Sequence, residues 1–140
     1  MYRKSLLLGI IMFAAAQFSY GADGTMTPAD QLPWKEFAPG SPLKLVVLWG
    51  DRASGEYAML LKMPAGFVAP IHAHTGEYHG INLTGTWKHS FDGGDEKELP
   101  PGSYVLQPGK GMHGDACVGP DDCILFVHQY VKGDFIPKQQ

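Results

Sequence analysis

The sequence contains little cysteine and no cluster of basic residues. Its eleven lysines and arginines are scattered along 140 residues, and the formal net charge is −3. Because such a chain offers no concentrated positive surface to a phosphate backbone, we expect no nucleic-acid partner. The only two cysteines, Cys117 and Cys123, are separated by five residues, which excludes a C-x-x-C redox pair.

Long apolar runs are also absent, apart from one near the N-terminus. Arg3 and Lys4 precede an apolar run over Leu6–Ala16, and small residues follow it. This order is typical of a secretory signal peptide, and the run is shorter than the roughly 20 residues of a membrane span. We predict a cleaved signal peptide over residues 1–21, a periplasmic or secreted location and no membrane contact after cleavage.

Export would give the two cysteines a structural use. Cys117 and Cys123 flank VGPDD, a sequence that favours a tight turn. In an oxidising compartment we therefore predict a disulfide between them.

The sequence also lacks any segment with sustained helical periodicity. Its 18 glycines and 11 prolines fall between short runs rich in β-branched and aromatic residues. We expect strands over 43–51, 55–64, 79–91, 102–108 and 123–131. Their spacing indicates an all-β sandwich or barrel. A single domain would cover residues 43–137, after an extended N-terminal arm over residues 22–42.

Three of the six histidines lie in PIHAHTGEYHG at 70–80. On an extended strand His72 and His74 project to the same side, where neutral imidazoles could bind one ion. His79, Ile81 and Leu83 share one face of the next strand, so an inward-facing apolar side would carry His79 inward. Such ligands suit transition metals better than Mg²⁺ or Ca²⁺.

Two segments resemble the motifs of a known superfamily. GFVAPIHAHTGEYHGINLTG at 66–85 resembles the first cupin motif, and GSYVLQPGKGMH at 102–113 resembles the second. With its flanking segments, the chain is similar to the cupin group DUF4437. The resemblance implies a cupin jelly-roll barrel, also called a double-stranded β-helix, with a divalent Fe, Zn, Mn, Ni or Cu ion bound by His72, His74 and His113.

The glutamate of the first cupin motif has no match at the usual spacing. His79 fits that spacing and is our preferred fourth ligand, and Glu77, one position too early, is the alternative. Tyr78 is the third candidate, an uncommon ligand that is better suited to the pocket wall. An all-histidine site would leave a divalent ion with a net charge near +2, which would attract an anionic or enolate-like substrate.

Other polar residues differ in how well they suit the site. His128 is a candidate for the pocket, with a packed core histidine as the alternative. His89 lies near a turn and is placed outside the site. Asp51 and Arg52, surrounded by glycine and serine, are assigned to a turn between two strands.

Two functions remain open from the sequence. One is a metal-dependent enzyme acting on a small organic molecule, with dioxygenase chemistry among the options. The other is a non-catalytic module that binds a metal or small ligand. The superfamily includes dioxygenases, isomerases, lyases, sugar binders and storage proteins, so the resemblance implies no particular reaction. Because cupins commonly pair, we expect a homodimer.

Overall fold

A computed structural model describes residues 24–92 and 94–139. The predicted signal peptide, residues 1–21, lies outside the described residues. Among the residues that are described, no helix is long and apolar enough to cross a membrane.

The described residues form two antiparallel sheets. The six-stranded sheet has the order β1-β2-β3-β10-β5-β8, and the five-stranded sheet has the order β11-β4-β9-β6-β7. The strands are β1 (Lys35–Glu36), β2 (Lys44–Gly50), β3 (Tyr57–Met63), β4 (His72–Ala73), β5 (Tyr78–Thr84), β6 (Trp87–Phe91), β7 (Lys97–Leu99), β8 (Tyr104–Gln107), β9 (His113–Cys117), β10 (Cys123–Gln129) and β11 (Ile136–Pro137). One 3-10 turn, Ala29–Gln31, precedes them. The predicted all-β jelly roll is confirmed.

The core lies between the two sheets. Strand β10 illustrates how it is built, because its residues alternate between buried and partly exposed along the whole strand. Leu125 and Val127 point into the core, where they join Trp87 and Met63. Burying large apolar side chains of this kind stabilises the fold by about 1.5–3 kcal/mol each.

The predicted strand over 79–91 is two strands that belong to different sheets. Gly85 separates them with a φ of +67°, a conformation that residues with a Cβ rarely adopt. A Cβ at this position would also lie 2.8 Å from the carbonyl oxygen of Asp122. The turn at Gly85 therefore sends β5 into the six-stranded sheet and β6 into the five-stranded sheet.

A disulfide joins the two sheets on one side of the core. Cys117 ends β9 and Cys123 begins β10, and the two form the predicted disulfide. Both side chains are buried in the core cluster. The bond therefore holds together two strands that belong to opposite layers.

Candidate metal centre

Three histidines meet at β4 and β9. His72 lies directly opposite His113 in the pairing of these two strands, and His74 follows the end of β4. One ring nitrogen from each lies within 4.8 Å of the others. The ring centroids of His72 and His113 are 4.2 Å apart, and His74 lies 4.9 Å from His72. The cluster therefore has the composition and spacing of a metal site.

Backbone carbonyls orient all three imidazoles in the same way. Nδ1 of His72 donates to the Pro70 oxygen at 2.8 Å. Nδ1 of His74 donates to the Asp134 oxygen at 2.5 Å, and Nδ1 of His113 donates to the Gly111 oxygen at 3.1 Å. Because a carbonyl oxygen can only accept, each neutral ring carries its proton on Nδ1 and has a lone pair on Nε2. Such a second hydrogen bond is usual for histidines that bind metals.

The environment favours the neutral imidazoles that a metal requires. Burial lowers the pKa of His113 to about 4 and also lowers the pKa of His74. Nε2 of His113 is buried and has no hydrogen-bond partner among residues 24–92 and 94–139. A buried polar atom without a partner is costly, and a bound ion would satisfy it. The donor set therefore fits a divalent transition metal.

Asp115 is a carboxylate at the cluster that sequence reasoning missed. It lies two residues after His113 on β9, on the same face of the strand, and 12% of its side chain is exposed. Its Oδ1 accepts hydrogen bonds from Trp87 Nε1 at 2.7 Å and from His89 Nδ1 at 2.9 Å. Burial alone would raise the pKa of Asp115, but the hydrogen bonds from His89 and Trp87 and the electrostatic influence of His89 and His113 together outweigh it and hold the pKa below its usual value. The carboxylate is therefore ionised at neutral pH.

The other oxygen of Asp115 faces the histidines. Oδ2 lies 3.4 Å from Nε2 of His113 and 4.0 Å from Nε2 of His72. His89, which the sequence places outside the site, is buried beside it with its ring 5.5 Å from that of His113. A strand prediction for residues 113–117 would have put His113 and Asp115 on one face.

Of the three candidates for the fourth ligand, only Tyr78 lies near the histidine cluster. Tyr78 is buried, with its ring 5.6 Å from that of His74. His79 points to the opposite face of the sheet, where its Nδ1 forms a 2.8 Å hydrogen bond with the Tyr104 hydroxyl. Glu77 is exposed and lies 3.9 Å from Nε2 of His79, so it also faces away from the cluster. These placements correct the expectation that His79 points inward.

The predicted alternation along β5 is reversed for a specific physical reason. Asn82 is fully buried because its amide donates to the carbonyl oxygens of Gly85 and Leu99 at 2.9 and 2.7 Å. The apolar residues Ile81 and Leu83 are the exposed ones, at 38% and 45%. An amide whose nitrogen makes two hydrogen bonds therefore occupies the position that the hydrophobic pattern assigned to the surface, although its Oδ1 has no partner among the described residues.

The placement of His128 also corrects an expectation. Val127 and Gln129 line the interior cavity, so the intervening His128 points outward. Its Nε2 donates to Glu56 at 2.9 Å, and its ring lies 6.2 Å from that of His79. His79 and His128 are thus neighbours on the outer face of the six-stranded sheet, away from the pocket where His128 was predicted.

A cavity of about 250 Å³ between the sheets adjoins the histidine cluster. Most of its lining is apolar, and His72, His74 and Asp115 form part of the wall together with Tyr78. Burial raises the pKa of Tyr78 well above its usual value, so its hydroxyl stays protonated and can donate a hydrogen bond. The site therefore combines a histidine cluster that could hold a metal ion with space for a small molecule.

Arg52 contributes a positive charge to this cavity. Its backbone belongs to the predicted turn after β2, but its side chain lines the cavity. The guanidinium carbon lies 4.5 Å from the centroid of the Phe37 ring. Nε is buried without a hydrogen-bond partner among the described residues. A donor in this state can bind an anionic or carbonyl group of a ligand.

A jelly-roll barrel with a histidine triad on its inner wall defines a cupin. The chain belongs to the ChrR cupin-like domain family, whose model matches residues 22–131. The narrower grouping with DUF4437 stays a prediction.

Solved structures share this fold. An RmlC-like cupin from Ralstonia eutropha is 28% identical, with a TM-score of 0.64 over 81% of this chain and 71% of its own. The polyketide cyclase RemF from Streptomyces resistomycificus is 16% identical, with a TM-score of 0.69 over 84% and 87%. A chain of the Rhodobacter sphaeroides complex of SigE with the anti-sigma ChrR is 20% identical, with a TM-score of 0.58 over 73% and 50%. No curated protein matches the sequence.

Proposed function

We propose that this protein is an exported cupin that binds one divalent transition metal through Nε2 of His72, His74 and His113, and that it acts as a metal-dependent enzyme on a small organic molecule. One observation carries the proposal: three imidazoles, each with Nδ1 held by a backbone carbonyl, meet beside a mostly apolar cavity. A bound ion would supply Lewis-acid polarisation of a substrate oxygen or activation of a water molecule.

The cavity favours a small, largely apolar molecule that carries an anionic group. Side chains such as Met59, Met63 and Leu125 would surround the apolar part. Arg52 would bind a carboxylate or a similar anion, because its buried Nε has no partner within the described chain. The protonated hydroxyl of Tyr78 would donate to a substrate oxygen near the histidines.

The second candidate is a module that binds a metal or small ligand without turnover. It is favoured by the ChrR cupin-like family and by the likeness to a chain of a complex that contains an anti-sigma protein. An open coordination position would favour the enzyme, whereas a closed four-ligand site would favour the binding module.

We also propose that this protein is processed, exported and paired as the sequence predicts. Residues 1–21 would be cleaved, and the mature chain would lie in the periplasm or be secreted. The domain over residues 43–137 would form a homodimer. The disulfide between Cys117 and Cys123 is consistent with an oxidising compartment.

Turnover assays separate the two functions. The exported protein would be loaded in turn with Fe²⁺, Mn²⁺, Ni²⁺, Cu²⁺ or Zn²⁺ and incubated with small aromatic and aliphatic carboxylates, with and without oxygen. Product formation by the wild type that is lost in His113→Ala supports the enzyme. Saturable binding of these compounds without product in any metal form supports the binding module and contradicts the enzyme.

A further inference from the structure

The missing cupin glutamate leaves the centre with three protein ligands and a carboxylate at an unexpected position. Oδ2 of Asp115 lies 3.4 Å from Nε2 of His113 and 4.0 Å from Nε2 of His72. Two ligands with metal bonds of about 2.1 Å at a tetrahedral centre are about 3.4 Å apart. The first separation matches this value, and the second requires a contraction of about 0.6 Å. Asp115 lies outside the group of ligand atoms that are all within 4.8 Å of one another, so binding the ion together with His74 requires Oδ2 to move towards it.

Asp115 approaches the histidines on the side where a metal would bind. Carboxylates often orient metal-bound histidines by accepting a hydrogen bond from the nitrogen that does not bind the ion. Here the Pro70 and Gly111 carbonyls already take that role at Nδ1 of His72 and His113. Because Oδ2 faces Nε2 instead, its position is that of a ligand rather than an orienting group.

The carboxylate is held in place by its other oxygen. Trp87 Nε1 and His89 Nδ1 both donate to Oδ1, at 2.7 and 2.9 Å. Trp87 and His89 are both buried, at 0% and 4% exposure, so these donors are fixed by packing. This arrangement leaves Oδ2 for monodentate binding of an ion.

The other nearby carboxylates are not available for this role. Glu77 is exposed and lies beside His79 on the outer side. Asp134 receives hydrogen bonds on its two carboxylate oxygens from the backbone nitrogen and the hydroxyl of Thr75, at 2.9 and 2.5 Å. Asp115 is therefore the carboxylate that the fold aims at the cluster.

We infer that Asp115 Oδ2 is the fourth protein ligand of the ion held by His72, His74 and His113, so that the strand that continues from the second motif supplies the carboxylate that the first motif lacks. This inference rests on the proposed metal site. One carboxylate lowers the net charge around a divalent ion from +2 to +1. A tetrahedral ion would then have no open position, whereas an octahedral ion would keep two.

Cobalt binding tests this assignment without any assay of activity. Co²⁺ would be added to the metal-free full chain, its affinity measured by competition with a chelator, and its visible absorption spectrum recorded. Asp115→Asn keeps an acceptor for Trp87 and His89 but replaces the charged ligand oxygen. We expect its Co²⁺ affinity to fall at least about tenfold and its spectrum to change. The control, Glu77→Gln, removes a carboxylate outside the cluster and should leave both unchanged.

The outcomes distinguish this inference from the proposed function. If the wild type binds no Co²⁺, the metal site itself is wrong. If the wild type binds Co²⁺ and Asp115→Asn matches it in affinity and spectrum, the ligand assignment is overturned and the metal site stands. Should Asp115→Asn fail to fold, infrared difference spectra of the wild type decide the point. Metal addition should shift the stretching bands of one carboxylate, and unshifted bands would contradict the inference.

Discussion

Oδ2 of Asp115 lies 3.4 Å from Nε2 of His113, the residue two positions earlier on β9. The alternation of a strand places both side chains on the inner face, beside a histidine pair that comes from the other cupin motif. The carboxylate that the first motif lacks at the usual spacing is thus matched by one two residues after the second motif.

The outward orientation of His79 predicts that it has no role in metal binding. His79→Ala should retain the metal affinity of the wild type within about twofold, as expected for substitutions distant from a site. Chelator competition measures this affinity. Loss of metal from His79→Ala, with His72→Ala unaffected, would contradict the placement of the site.

Arg52 should discriminate between anionic and neutral ligands. Loss of one charged hydrogen bond costs about 1.5–3 kcal/mol, which corresponds to a weakening of about 10–150-fold. Calorimetry with small carboxylates and their amides should show this loss for the carboxylates in Arg52→Gln, with the amides little changed. Asp51→Asn, a change in the adjacent exposed residue, serves as the control. Equal affinities for carboxylates in Arg52→Gln and the wild type would refute the anion site.

The metal-free protein should lose stability as the pH falls. The pKa of His113 is lowered by burial to about 4 in the folded chain, against about 6.5 when unfolded. Since the unfolded state binds the proton first, the stabilisation is present above pH 6.5 and is lost as the pH falls towards 4. Urea unfolding of the metal-free wild type and His113→Gln at several pH values measures this, and the variant should show a shallower pH dependence. Parallel profiles would show that His113 is not responsible.

The disulfide should contribute measurably to stability. Replacing Cys117 and Cys123 together by alanine opens a short loop between the two sheets, and we expect a loss of roughly 2 kcal/mol. Urea unfolding of the oxidised wild type and the double variant gives the difference. A midpoint that is unchanged in the variant would mean that packing alone holds β9 to β10.

The sequence was sufficient to predict the all-β fold, because its β-branched and aromatic runs are separated by glycine and proline. It did not predict the two sides of β5. The hydrophobic pattern favours burial of Ile81, whereas the fold buries Asn82 through hydrogen bonds to carbonyl oxygens that come together only in the tertiary structure. That reversal explains why His79, which the pattern assigns to the interior, points outward.

Asp115 was not predicted as a site residue for a different reason. The segment HGDAC contains glycine and aspartate, residues that are depleted in strands, so its strand character was not recognised. β9 is instead held by its pairing with β6 along its full length and with β4 at His72. Tertiary pairing therefore created the face that His113 and Asp115 share.

Metal content shows whether His72, His74 and His113 hold an ion. The wild type, purified without chelator and then offered Fe²⁺, Mn²⁺, Ni²⁺, Cu²⁺ and Zn²⁺ separately, would be desalted and subjected to elemental analysis beside His113→Ala. We expect one equivalent of at least one of these metals per wild-type chain and little or none in the variant. A wild type that retains only a small fraction of an equivalent of every metal would contradict this expectation.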